Sequence, residues 1–336
     1  MFDLFEIDIL YDISAGCIRR CDDCVISSSA NMFNIGSSEM ISLLEQSSEY
    51  FMLGNCWLGP TDIFASNQTI QYDDPEVVEV ASKFHAVILS TSLLGSDELI
   101  ASHAKRIANA YKDIPIKLAI PVNMREVDNI KYRNHILSKI DFFENQLGRP
   151  LGTKTRKVYF IGNMPTEEDD IDPDIFQKFI DLWGVQLDIA IGNGRQGIQE
   201  LRGIFNKSIN FFEKRINVTN NFPAALLKEG RGIDLLFRNG SLYFLPFYNE
   251  RIAVLDEDFR LFKNKDWTVD NLVSDINALM VRSLNASEKL TECSKCHYNS
   301  RCSLFLLPLI QKKLNLDTCI QPKSLLRLYG TDNQTH

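Results

Sequence analysis

FEIDILYDISAGCIRRCDDC, residues 5–24, runs from a candidate strand, Phe5 to Ile13, into three cysteines at the spacing C-x3-C-x2-C: Cys17, Cys21 and Cys24. The loop beyond the C-terminal end of a strand is where parallel α/β barrels keep their active sites. Three thiolates on one loop can coordinate three irons of a [4Fe-4S] cluster and leave the fourth iron open to a non-protein ligand. The competing metal is zinc, which prefers four ligands in two close pairs. His85 and His103, the nearest histidines in sequence, read more simply as satisfied helix-end or surface residues.

Downstream of this loop, short β-branched runs alternate with longer helical patterns, the signature of βα units around a parallel sheet. Candidate strands follow at Phe51 to Leu58, Ala86 to Thr91, Ile116 to Val122, Lys157 to Gly162 and Gln186 to Gly192. Between and after them, Ser37 to Tyr50, Pro75 to Phe84, Ser96 to Tyr111, Asn129 to Leu147, Pro173 to Trp183 and Gln199 to Arg215 carry apolar residues at helical spacing. The acidic run Glu167 to Asp174 reads as a solvated loop leading into a helix N-terminus.

The 336 residues suffice for one large domain and a small one, and 45% apolar with 24% charged residues excludes a disordered or collagen-like chain. Against 44 acidic side chains stand 36 basic ones, a net charge of −8 that offers no overall positive field to nucleic acid or an anionic membrane surface. No apolar run reaches the roughly 20 residues of a spanning helix, and the acidic start MFDLFEIDIL lacks the basic opening of a signal peptide. The expectation is a cytoplasmic protein whose cysteines are thiols or metal ligands.

Near residue 230 the pattern changes. In DLLFRNGSLYFLPF, residues 234–247, Asn239-Gly240 sits between two apolar runs, a strong hairpin signal because a type I′ turn needs positive φ at both central positions. We therefore divide the chain into a barrel domain, residues 1–230, and a smaller domain, 231–336, with a strand at Arg251 to Leu255 and helices at about Val269 to Leu284 and Leu304 to Leu314. This second part carries Cys293, Cys296, Cys302 and Cys319. Four thiolates can close every iron of a [4Fe-4S] cluster, or form an all-thiolate zinc site with His297 as a spare ligand. Cys56, after a buried strand, reads as a small core residue.

The cysteine spacing after the first strand resembles that of the radical S-adenosylmethionine (radical SAM) enzymes. The resemblance covers about residues 5 to 215. It implies an α/β fold, a partial (β/α)6 TIM-like barrel, in which SAM chelates the open iron. Electron transfer then gives a 5′-deoxyadenosyl radical that abstracts hydrogen from a substrate. Asp23 stands where the family usually has an aromatic residue, and Leu58-Gly59-Pro60-Thr61-Asp62 replaces its Gly-Gly-Glu-Pro-like segment. By the resemblance Gly59, Pro60, Thr61 and Asp62 contact SAM; read without it, they form a tight turn with Asp62 capping a helix. The strand ends supply further candidates: Ser90, Ser92, Asn123, Arg125 and Asn193, the last in a Gly-Asn-Gly turn near the adenosine.

The C-terminal cysteines resemble the SPASM extension of the same superfamily, reduced to the ligands of one auxiliary [4Fe-4S] cluster. The family's remaining ligand positions fall here on Leu245 and Leu306, and no cysteine lies between Cys56 and Cys293. The fold expected is thus a partial barrel with a small C-terminal iron-sulfur domain. The resemblance implies a substrate that is a ribosomally made peptide undergoing oxidative modification or crosslinking, and a flavodoxin- or ferredoxin-type electron donor; with the first strand entered at about Phe5, a leader peptide would need a separate leader-recognition protein or the C-terminal domain. The alternatives are a small-molecule dehydrogenase or isomerase, and an inactive scaffold clipped by its metal.

Overall fold

A computed structural model describes residues 5–13, 37–59, 62–64, 72–123, 126–152, 158–164, 178, 182–183, 188–191, 232–238, 240–244, 257–296, 299 and 307–313. Six strands lie parallel in register: β1 (Phe5–Asp12), β2 (Phe51–Gly59), β3 (Ala86–Ser90), β4 (Ile116–Asn123), β5 (Val158–Met164) and β6 (Asp188–Ile191). These are the six strands expected from the sequence, with ends shifted by a residue or two. Two more follow, β7 (Gly232–Arg238) and β8 (Ser241–Phe244), and the described sheet has the order β6-β5-β4-β3-β2-β1-β7-β8.

The 239–240 hairpin is present. β7 and β8 are antiparallel with Arg238 opposite Ser241, and Gly240 has φ of +68°, a value that favours glycine. The hairpin does not stand apart from the barrel strands: β7 pairs in parallel with β1, Tyr11 beside Phe237.

The two faces of the sheet differ in chemistry because side chains alternate along each strand. Ile7, Ile9, Tyr11 and Ile13 point into the main core with Leu58, Val87, Leu89, Leu118 and Ile120, under helices α1 (Ser37–Ser47), α2 (Pro75–Ala81), α3 (Asp97–Ala110) and α4 (Ile130–Leu147). The opposite face carries Leu10 and Leu236, with Trp57 and Tyr243 packed against them. The main core continues through Phe237, Leu242, Phe259 and Leu261 into α5 (Val269–Lys289), which runs five residues past its expected end. Two short helices follow, α6 (Thr291–Ser294) and α7 (Leu307–Lys313).

Local sequence explains the helix starts. Asp74, Ser96, Asn129 and Thr268 each accept a backbone N–H from the first turn of α2, α3, α4 and α5, and Pro75 occupies the first turn of α2, where its missing N–H costs nothing. α4 ends on Gly148 at φ +73°. The expected helix Gln199 to Arg215, the strand Arg251 to Leu255 and most of the helix Pro173 to Trp183 lie outside the described residues.

Candidate functional site at the C-terminal ends of the strands

The end of β1 is tied to both of its neighbours. Asp12 stands in register with Gly59, and just beyond it the Ile13 N–H donates to the Gly59 carbonyl at 3.2 Å. The Asp12 side chain is buried, 1% exposed, and accepts a hydrogen bond from Nε of Arg238, one position past the Tyr11–Phe237 pair on β7. A row of inward-facing residues therefore crosses the sheet top from Arg238 through Asp12 and Gly59 to Ser90. The chain leaves this row at Ile13 toward Cys17, Cys21 and Cys24, which lie outside the described residues.

Gly59 owes its identity to this row. A Cβ on it would meet Ser90 Oγ at 2.5 Å and Ser90 Cβ at 2.9 Å, closer than packed atoms allow. Ser90 itself is buried, and its hydroxyl accepts from the indole N–H of Trp57, so the ring is pinned on the inner face of the sheet.

The loops after β2 and β3 are joined by Asp62. One carboxylate oxygen accepts the Phe64 N–H at 3.1 Å; the other accepts the Ser92 backbone N–H at 3.1 Å and the Ser92 hydroxyl. The Ile63 N–H donates to the Ser90 carbonyl at 2.9 Å. Beside this junction Leu93 holds φ of +52°, with its N–H on the Thr91 hydroxyl.

Of the residues expected to contact SAM, then, Gly59, Asp62, Ser90 and Ser92 come together in one junction, where the Ser90 and Ser92 hydroxyls are engaged within the protein. Asn123 lies at the exposed end of β4, two strands from Gly59. Pro60, Thr61, Arg125 and Asn193 lie outside the described residues.

Lower on the inner face, a polar chain links three strands. Asp8 on β1 accepts from the backbone and side-chain nitrogens of Asn55 on β2, at 2.5 and 3.0 Å, and Lys117 on β4 donates to the Asn55 side-chain oxygen at 2.9 Å. Lys117 is buried, in the same cross-strand row as Leu10, Trp57 and Ile88. Alternation within the strands marks these positions as inward, but their mutual contacts have no signature in the sequence. The same holds for Asp12 and Arg238, 226 residues apart.

His103 corrects the surface reading drawn from the sequence. It is buried in mid-α3, its Nδ1 2.6 Å from the Tyr72 hydroxyl and its ring stacked on Phe64 at 4.3 Å. Its Nε2 has no hydrogen-bond partner, and burial, reinforced by the Arg106 cation, lowers its pKa. His85 is exposed, as expected. Cys56 is fully buried, and burial pushes its thiol well above the ordinary range, which fits a core residue.

In the C-terminal set, Cys293 lies in α6, buried, with its thiol 4.0 Å from the side-chain oxygen of Gln311 on α7. The Cys296 N–H donates to the Cys293 carbonyl at 3.1 Å, so the two cysteines occupy one turn. Cys302 and Cys319 lie outside the described residues. Among the described residues no three His, Cys, Asp or Glu side chains gather as a metal site, and no helix is long and apolar enough to cross a membrane.

No protein-family model matches the sequence, and no curated protein does. Among solved structures, the chain is similar in fold to native anSMEcpe with bound AdoMet and Cp18Cys peptide: TM-score 0.52 at 12% identity, over 96% of this chain and 95% of that one. PhdJ bound to a substrate intermediate overlaps 60% of this chain and 50% of its own at 10% identity, but a TM-score of 0.20 carries no structural argument. The first likeness, spanning nearly all of both chains, and the parallel strand order together bear out the expected α/β, partial TIM-like barrel.

Proposed function

We propose that this chain is a radical SAM enzyme that acts on a peptide. The observation that carries the reading is the origin of the three-cysteine loop: it leaves β1 at Ile13, held on the Gly59 carbonyl, at the edge where parallel sheets bind ligands. The donor set fits an iron-sulfur cluster. Three soft thiolates fall within eight residues of one loop, and the junction of Gly59, Asp62, Ser90 and Ser92 lies beside the point from which that loop departs. The fold is that of a protein solved with AdoMet and a peptide, which supports both ligands here.

When bound, the cluster supplies the electron that cleaves the carbon-sulfur bond of SAM. Cys17, Cys21 and Cys24 would hold it, and Gly59 to Asp62, with Ser90, Ser92, Asn123, Arg125 and Asn193, would border SAM. The inner face, with Trp57 pinned by Ser90 and Lys117 in the same cross-strand row, receives the substrate. Cys293, Cys296, Cys302 and Cys319 would hold a second cluster in residues 231–336, which would supply a route for electrons.

The test is anaerobic reconstitution with iron and sulfide, then reduction with dithionite in the presence of SAM. About eight irons per chain are expected, with 5′-deoxyadenosine formed by the wild type and not by the Cys17→Ala/Cys21→Ala/Cys24→Ala variant. Zinc in place of iron, or iron with no deoxyadenosine, overturns the proposal.

A further inference from the structure

Arg238 brings a cation from the C-terminal half of the chain to the mouth of the barrel. Arg238 ends β7, donates from Nε to the buried Asp12 carboxylate, and is itself only 23% exposed. β7 is a rigid carrier for it. Phe237 packs edge-on against Tyr11 at 5.1 Å and against Trp267 at 6.1 Å, and Trp267 stacks on Phe262 at 5.0 Å.

Cohesion alone does not call for a charged pair here. Taking a carboxylate and a guanidinium out of water is costly, and an apolar pair of similar size holds two strands together at least as well. The ion pair adds direction, because the Arg238 Nε–H bonds one carboxylate oxygen of Asp12 and a hydrogen bond favours one alignment of donor and acceptor. Asp12 is the last residue of β1, in register with Gly59 and five residues before Cys17.

We propose that Arg238 is a positioning residue of the barrel mouth. It fixes the end of β1 through Asp12, five residues before Cys17. The link to SAM rests on the function proposed above; the link to the end of β1 does not.

Two measurements on the full chain separate these claims, using Arg238→Gln, Asp12→Asn and the double variant, whose neutral amides can bond each other without a buried charge. In protein purified without a cluster, amide hydrogen exchange over residues 5–13 should quicken about ten-fold in Arg238→Gln and return to within about three-fold of wild type in the double variant. In reconstituted protein, the SAM concentration giving half the change in the reduced cluster's electron paramagnetic resonance spectrum should rise about ten-fold in Arg238→Gln at unchanged iron content, and recover in the double variant. Wild-type exchange in Arg238→Gln overturns the proposal. A double variant as impaired toward SAM as Arg238→Gln also overturns it, since Arg238 would then touch the ligand itself. If the wild type binds no iron, the proposed function fails, and the exchange measurement still decides the role of Arg238.

Discussion

The Asp62 carboxylate accepts the Ser92 backbone N–H at 3.1 Å and also the Ser92 hydroxyl, closing the gap between the loops that follow β2 and β3. With Phe64 N–H on its other oxygen at 3.1 Å, one side chain satisfies three donors at the barrel mouth. Asp62 thus has a structural task of its own.

Replacing it should therefore cost stability before any ligand is added. Asp62→Ala leaves the N–H groups of Phe64 and Ser92 without their acceptor and should lower unfolding free energy by about 1–3 kcal/mol in urea titration. Ser92→Ala removes only the hydroxyl and should cost about 1 kcal/mol. An Asp62→Ala protein as stable as wild type would show that these bonds contribute nothing.

Gly59→Ala is expected to destabilise by about 1–3 kcal/mol, because the new methyl group falls within 2.9 Å of Ser90 Cβ and closer still to its hydroxyl. Removing the obstacle tests the cause. Gly59→Ala with Ser90→Gly should lose clearly less than the sum of the single changes in thermal or urea unfolding. Strict additivity would place the strain elsewhere.

His103 should make stability depend on pH. Burial first, and Arg106 second, hold it neutral in the folded chain, while Asp62 and Asp73 pull more weakly the other way. Its folded pKa lies below the ordinary 6.5, so the unfolded chain binds the proton more readily. The stability linked to His103 is therefore intact above about pH 6.5 and is lost as pH falls through that value toward the folded pKa. The advantage of wild type over His103→Gln should shrink from pH 7 to pH 5; a difference that stays constant would sink this account.

Cys56 should resist alkylation in the native protein. It is fully buried, and burial together with Asp8 raises its thiol pKa, so almost no thiolate forms at neutral pH. Iodoacetamide followed by peptide mass mapping should modify Cys56 only at denaturant concentrations that unfold the chain. Labelling at native rates comparable to a free thiol would contradict its placement in the core.

The strands and helices were legible because their signals are local. Valine and isoleucine runs such as Ala86–Ser90 favour extended backbone, and Asp74-Pro75 and Asn129 announce helix starts within one turn. The 239–240 turn is equally local. The place of the cysteines after β1 names the edge of the sheet at which a site is expected, for a loop after β1 of a parallel sheet has one edge to leave from.

The sequence by itself thus determined, among the described residues, the six strands of the parallel sheet and the hairpin that follows them. Only the tertiary structure decided which side chains meet there: Arg238 with Asp12, Asp62 with Ser92, Ser90 against Gly59, and His103 under Phe64. Backbone preference is set by neighbours a few residues away and is written in composition and spacing. Contacts across 30 to 226 residues depend on strand register and on which buried charges find partners. No local pattern records either.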